Sequence, residues 1–447
     1  MKKMMTALVA CCLLGNAQGQ AWQNVGNAFV GTINTLVSYT GKMYIGGNFA
    51  RYNGSDASLL AFYDGTVITP FVSTAVTGSA INGLYVQTGT SAACYALGTY
   101  NIGTGTSAPA NCTRWTGLTW GDASFKVTGA AYTMAYGVPA SNIPLQMVGG
   151  AFTAGGLSYV AKRNTANTAW QAAGSGFNGA VYALEYYNGT IYAGGDFTMS
   201  GTTAINHIAK WNIASSKWEP VATGNTGING RVRCLKSYNG SLYVGGDFTT
   251  ANGAATKLLA VWSGTAWSKL GNADFTGASV RSIQVGNGAI VVGGVFTKVG
   301  TVVVKNAAYY KTAWLAMGSD LTQPVNALIY FNNNWYCGQE AANSTASTYL
   351  RKWNATAVVA TEQIVAPEIA QFVTYPNPSS DRLTLRANEN IVSVALYTLS
   401  GNLAASYTHL HDTQHILSVA ELPAGIYIAQ IRTDDGKVGS QKVVISH

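Results

Sequence analysis

"VRCLKSYNGSLYVGGDFTTANGAATKLLAVWSGTAWSKLG", residues 232–271, is the stretch that decides the fold. Its first residues alternate, Asn239-Gly240 makes a tight hairpin turn, and residues 241–244 form a second strand closed by Gly245-Gly246. A longer loop leads to a third strand over residues 258–262. Ser263-Gly264 then turns the chain into a fourth, over residues 265–270. The pattern recurs upstream in "VYALEYYNGTIYAGGDFTMSGTTAINHIAKWNIASSKWEPVATG" from Val181 and in "INTLVSYTGKMYIGGNFARYNGSDASLLAFYDGTVITPF" from Ile33. Weaker copies carry "QMVGGAFTAGGLSYVAKRNTANTAWQAAG", "AIVVGGVFTKVG" and "WYCGQEAANSTASTYLRKWNAT", and a degenerate one "CYALGTYNIGTG". That makes about seven units of roughly 45 to 52 residues, each of four short strands. One such sheet cannot bury both of its faces, so stacking neighbours in a ring supplies the core.

The prediction is therefore an all-β chain with a β-propeller of about seven blades over residues 21–360. Composition agrees: 51 Gly, 25 Tyr and 11 Trp, but only 10% charged residues, suit strands joined by tight turns. The doublets Gly46-Gly47, Gly149-Gly150, Gly194-Gly195, Gly245-Gly246 and Gly293-Gly294 read as structural. They close strands rather than open helices, and no Gly-Lys-Ser/Thr follows, which excludes a phosphate loop. Asn48, Asp196 and Asp247 follow doublets but offer at most one carboxylate per copy, so they read as turn caps rather than calcium ligands. Phe49, Phe197 and Phe248 would pack between blades.

Lys2 and Lys3, an apolar run over residues 4–14 and Ala17-Gln18-Gly19 read as a signal peptide over residues 1–20. A rival reading takes Leu8-Val9-Ala10-Cys11 as a lipoprotein box. No other segment is a transmembrane candidate. Cys11 and Cys12 leave with the signal; Cys94 and Cys112 fall on neighbouring strands of one predicted hairpin and are disulfide candidates, while Cys234 and Cys337 read as buried thiols. The net charge of +8 comes from scattered basic residues, so no nucleic-acid partner is expected.

Candidate chemistry is sparse. His207 is the one histidine before the C-terminal segment, which argues against histidine-rich metal sites and leaves a Ser-His-Asp triad a single candidate base. No catalytic residue, metal or cofactor is assigned. The acids lie mostly isolated in turns, among them Asp56, Asp64, Asp122, Asp196, Asp247 and Asp274. Glu185 is the exception, in a first strand beside the predicted central channel. With Arg231 and Arg233 it is a candidate for ligand binding at a channel mouth. Tyr186, Tyr187 and Tyr238 are candidates for an exposed sugar-stacking platform.

Two resemblances enter on these residues. Gly194-Gly195 with Trp211 and Trp218, and Gly245-Gly246 with Trp262 and Trp267, resemble the kelch-type blade. After an expected linker over residues 361–373 comes "TYPNPSSDRLTLRANENIVSVALYTLSGNLAASYTHLHDTQHILSVAELPAGIYIAQIRTDDGKVGSQKVVISH", residues 374–447. Its alternating runs and hairpin turns predict a small Ig-like β-sandwich of about seven strands. The segment resembles the type A C-terminal sorting domain of type IX secretion, through Tyr375-Pro376-Asn377-Pro378, Gly401, Gly425, Tyr427 and Lys442. That resemblance implies Sec export followed by type IX translocation to the outer-membrane surface or beyond. It also implies as partners the type IX machinery, its C-terminal signal peptidase and surface lipopolysaccharide. The functional expectation is a secreted or cell-surface protein whose propeller binds a glycan or a protein. The alternatives are a polysaccharide hydrolase using two channel carboxylates, and a structural component of the surface layer.

Overall fold

A computed structural model describes residues 21–353 and 372–447, apart from residues 54, 57–58, 72–75, 89–91, 103–110, 116–119, 126, 154, 165, 167–168, 223, 225, 344–345, 399–402 and 435–437. The expected signal peptide, residues 361–371 of the expected linker, and Gly401 lie outside the described residues. The chain divides into two compact units, Met1–Thr356 and Ala357–His447. Strands dominate both, and the single short helix among the described residues is a 3-10 turn at Leu270–Asn272.

The first unit is a seven-bladed β-propeller. Its innermost strands are Ile33–Tyr39, Val76–Gln87, Gly129–Gly137, Val181–Tyr187, Val232–Tyr238, Phe275–Gly286 and Val325–Phe331. Each packs against the next, and the last packs back on the first, so the ring is closed. Six blades are four-stranded meanders built from consecutive chain. The seventh is different. Ser347–Trp353 is its third strand, and its fourth is Trp22–Val30, from the other end of the propeller sequence, with Trp22 opposite Trp353. The repeat unit at the end of the propeller therefore supplies only three strands, where four had been expected of each.

Local chemistry sets each blade. In the fifth, Asn239 and Gly240 have φ of 45° and 72°, the double left-handed turn that joins twisted strands without splaying them. Beyond it, Ser241–Gly246 is buried almost throughout, because both faces of a second strand lie against neighbouring blades. Trp262 and Trp267 then pair across the third and fourth strands with centroids 5.1 Å apart, and Trp211 and Trp218 repeat this at 5.2 Å in the fourth blade. The Gly194-Gly195 doublet has a steric reason. A Cβ on Gly195 would lie 2.1 Å from the Ala180 carbonyl oxygen, and one on Gly194 would lie 2.3 Å from Val232 of the next blade. Three residues beyond the first glycine of the doublets, Phe49, Phe152, Phe197, Phe248 and Phe296 are all at most 1% exposed, in the cores between blades.

Among the described residues the second unit has five strands, Phe372–Tyr375, Arg382–Thr398, Leu403–Ser418, Gly425–Thr433 and Val438–Ile445, rather than about seven. The difference lies in Arg382–Thr398, which joins two runs expected as separate strands across an irregularity between Arg386 and Ile391. On one side of that irregularity it pairs with Phe372–Tyr375, on the other with Gly425–Thr433, while Leu403–Ser418 runs along both halves. Leu383, Leu385, Val394, Leu396, Leu417, Ala429 and Ile431 meet in one core, so the strands turn the corner of a small sandwich there.

Candidate functional site

The innermost strands start where the doublets end, so one face of the ring collects both. At that channel mouth the residues left out of the strand pairing at a bulge in five successive inner strands are Tyr132, Tyr182, Arg233, Arg281 and Asn326. Tyr132 and Tyr182 stack, with centroids 5.3 Å apart and planes 12° from parallel. The Arg231 guanidinium lies 5.0 Å over Tyr182 and forks onto both oxygens of Asp196, at 2.6 and 2.8 Å. The Tyr182 hydroxyl donates to the same carboxylate at 3.0 Å. Arg233 forks onto Asp247 at 2.6 and 2.7 Å. Arg281 reaches Glu340 at 2.5 Å and Asn326 at 2.8 Å.

The mouth is thus a ring of fixed, mutually neutralised charge. Partial burial on its own would raise the Asp196 carboxyl, but hydrogen bonds from Arg231 and Tyr182 outweigh it and hold the group below its ordinary value. Burial, reinforced by the bond to Asp196, pushes the Tyr182 hydroxyl up to about 12. Among the described residues, no cluster of three or more His, Cys, Asp or Glu could hold a metal ion.

Glu185 is not part of this ring. It lies further along its strand, towards the opposite face, and its Oε1 accepts from the Ser237 amide at 2.9 Å and the Ser237 hydroxyl at 2.7 Å, on the next blade. Tyr85 occupies the matching place two blades earlier and accepts the Tyr136 amide at 2.9 Å in the same way. The three residues grouped as candidates thus serve two places: Arg231 and Arg233 hold acids at the mouth, and Glu185 clasps two blades.

On the opposite face, where hairpin turns join first and second strands, a cavity of about 420 Å³ opens between the fourth and fifth blades. It is lined by Tyr186, Tyr187, Asn188, Ser237, Tyr238, Asn239, Gly240 and Ser263. Sequence reading named its three tyrosines, with one correction. Tyr187 is only 6% exposed, because its ring packs edge-on against Tyr192 and its hydroxyl donates to the Gly240 carbonyl at 2.9 Å. The Tyr186 ring lies over Gly137, where a Cβ would approach within 2.0 Å of it. Tyr186 and Tyr238 are half-buried, while Asn188, Asn239, Gly240 and Ser263 are exposed. The turn residues that line it were not singled out in the sequence as site candidates. Their signal was the repeated Tyr-Asn-Gly, which puts two identical turns on adjacent blades.

Cys94 and Cys112 are not bonded to each other. Cys112 sits opposite Leu97 and Cys94 opposite Trp115, three residues out of step, so the two thiols face opposite sides of the blade. His207 is a turn residue, with φ of 61° and Nδ1 bonded to the Gly195 carbonyl at 3.0 Å. In the second unit, Asn377 bridges the last strand, accepting the Val444 amide at 2.8 Å and donating to the Lys442 carbonyl at 3.0 Å. Tyr427 is buried, with its hydroxyl on the Pro423 carbonyl at 2.8 Å.

Comparison with known proteins agrees with both units. Residues 373–446 match the secretion system C-terminal sorting domain. Residues 141–287 match the Rax2 C-terminal beta propeller domain, where the doublet-and-tryptophan pattern had suggested the kelch type. A search of curated proteins returns no match. Among solved structures, the xyloglucanase of Xanthomonas campestris is 12% identical, over 83% of this chain and 60% of that one, with a TM-score of 0.47. PorZ, a surface component of the type IX secretion system of Porphyromonas gingivalis, is 11% identical over 91% and 64%, at 0.35. The extracellular domain of a hybrid two-component system of B. thetaiotaomicron is 11% identical over 95% and 57%, at 0.42. The chain thus spans under two thirds of the length of these three, and at such scores they say nothing of its ligand or activity. No helix among the described residues is long and apolar enough to cross a membrane. The chain pairs a β-propeller with a type IX C-terminal sorting domain, which marks it for export to the cell surface or the extracellular space.

Proposed function

We propose that the propeller is a carbohydrate-binding module, carried out of the cell by its sorting domain. The sorting domain would be removed by the C-terminal signal peptidase, and the propeller released or attached to surface lipopolysaccharide. The observation that carries this reading is the cavity between the fourth and fifth blades. Tyr186, Tyr187 and Tyr238 line it beside Asn188, Asn239 and Ser263, with no charged side chain in the lining. Rings offer a face to the C–H side of a sugar, and amides and hydroxyls match its hydroxyl groups in either direction.

Hydrolysis is the less favoured reading, since glycoside cleavage needs one carboxyl able to donate a proton and a second free to attack or to activate water. At the channel mouth Asp196, Asp247 and Glu340 each hold an arginine. The test is a glycan array probed with the purified chain, followed by product analysis of any glycan retained. Binding of an intact glycan, weakened at least about tenfold by Tyr238→Ala, is expected from the loss of one stacking contact and its hydrogen bonds. Shortened products would move the protein to the hydrolases, and an array without any retained glycan would end the carbohydrate reading.

A further inference from the structure

Glu185 carries a charge that its structural task does not require. We infer that it makes the cavity between the fourth and fifth blades selective for neutral over acidic sugars; this deepens, and rests on, the carbohydrate reading of that cavity. The task itself is the inter-blade clasp, in which a side-chain oxygen of one inner strand accepts an amide of the next. Tyr85 performs it with a neutral hydroxyl, on the Tyr136 amide at 2.9 Å. Glu185 performs it with a carboxylate, on Ser237 at 2.9 and 2.7 Å. The fold thus accepts an uncharged group at this position, and what the carboxylate adds is an electrostatic field.

That field reaches the cavity directly. Ser237, the partner of Glu185, lines it, and so does Tyr186, its neighbour in the chain. No Lys, Arg or His is among the lining residues to offset the charge. A uronate or sulfated sugar held in the cavity would therefore bring its anion towards the Glu185 carboxylate, whereas a neutral hexose would meet only hydroxyl, amide and carbonyl groups. The chain's net charge of +8 would by itself predict the reverse preference, so the two expectations separate cleanly.

The experiment uses the full chain and titration calorimetry at low salt, with a neutral oligogalactan and the corresponding oligogalacturonate as probes, chosen from the backbones retained on the array. The neutral sugar is expected to bind at least about fivefold more tightly, the size of one like-charge repulsion across a partly hydrated cavity. Glu185→Gln keeps the accepting oxygen and the side-chain shape. It should leave the neutral affinity within about twofold and remove most of the discrimination. Should that variant not fold, raising the salt on the wild type gives the second reading, since screening must narrow the gap. Equal or tighter binding of the acidic sugar by the wild type overturns the selectivity while leaving carbohydrate binding intact, as does a gap unmoved by either Glu185→Gln or salt. Binding of neither probe class, on the array or by calorimetry, defeats the underlying reading as well.

Discussion

Asp196 shows what a single side chain does at the channel mouth. It takes the fork of Arg231 and the hydroxyl of Tyr182 at once, and the net effect holds its carboxyl below the ordinary value. A depressed folded-state value means the carboxylate contributes stability above the unfolded value, and the contribution is lost as pH falls through the folded one. Asp196→Asn should therefore cost about 1 kcal/mol at pH 7, discounted for the partial exposure of the pair. That difference should shrink as pH falls below about 4. Thermal melts of both proteins from pH 7 to 2 check this, and a gap that widens on acidification would refute it. Gly195 is a steric counterpart. A Cβ there meets backbone rather than a movable side chain, so Gly195→Ala should cost roughly 2–3 kcal/mol in denaturant unfolding, and a neutral result would break the account of the doublet. Arg231 and Arg233 were legible in the sequence as a basic pair. Their partners were not, because Asp196 is 35 residues from Arg231 and reaches it only when the fourth and fifth blades stack. The cysteine pair failed for a related reason: a hairpin can be read locally, but its register decides which face each side chain takes.

Among the elements, Trp22–Val30 is the strand on which ring closure depends. The Trp22 indole N–H donates to the Met317 carbonyl at 2.7 Å, its ring lies 5.4 Å from that of Trp353, and its amide is held by Asp320, which also pairs with Arg351. Trp22→Ala should cost about 3–5 kcal/mol, as for other large aromatic truncations in a core. Deleting residues 21–31 should do more, leaving Ser347–Trp353 as an open edge and turning a single unfolding transition into a broad one accompanied by aggregation. Denaturant unfolding with light scattering distinguishes these outcomes, and a deletion that melts sharply near the wild-type midpoint would show that the ring does not need its clasp. The other blades were legible because each carries its own turn, doublet and aromatic pair within one stretch of chain. "WQNVGNAFV" has none of these, since it is a lone fourth strand whose partner lies over 300 residues away, and only closure of the ring explains it. In the sorting unit the motif is easier to explain than to find. Asn377 stitches the entry segment to the final strand, which ties Tyr375-Pro376-Asn377-Pro378 to Lys442-Val443-Val444 at opposite ends of the domain.

At the scale of the whole molecule, the question is what must survive export. A binding module that loses its sorting domain is useful only if its stability does not depend on that domain. The cores answer this unit by unit. Every buried cluster of the propeller is drawn from residues 22–353, between successive blades around the ring. The sorting domain's own cluster is drawn from residues 372–445. Because unfolding cooperativity follows shared burial, two transitions are expected by calorimetry of the full chain. Cleavage between residues 354 and 371 should remove the sorting domain's transition from the purified propeller and leave the propeller's midpoint within about 2 °C. A propeller that melts markedly lower once cut would mean that the sorting domain supports it, and the cavity between the fourth and fifth blades would then have to be assayed only in the uncut protein. An unchanged midpoint means that the ring, closed by its own first strand, holds that cavity in the same shape before and after the sorting domain is removed.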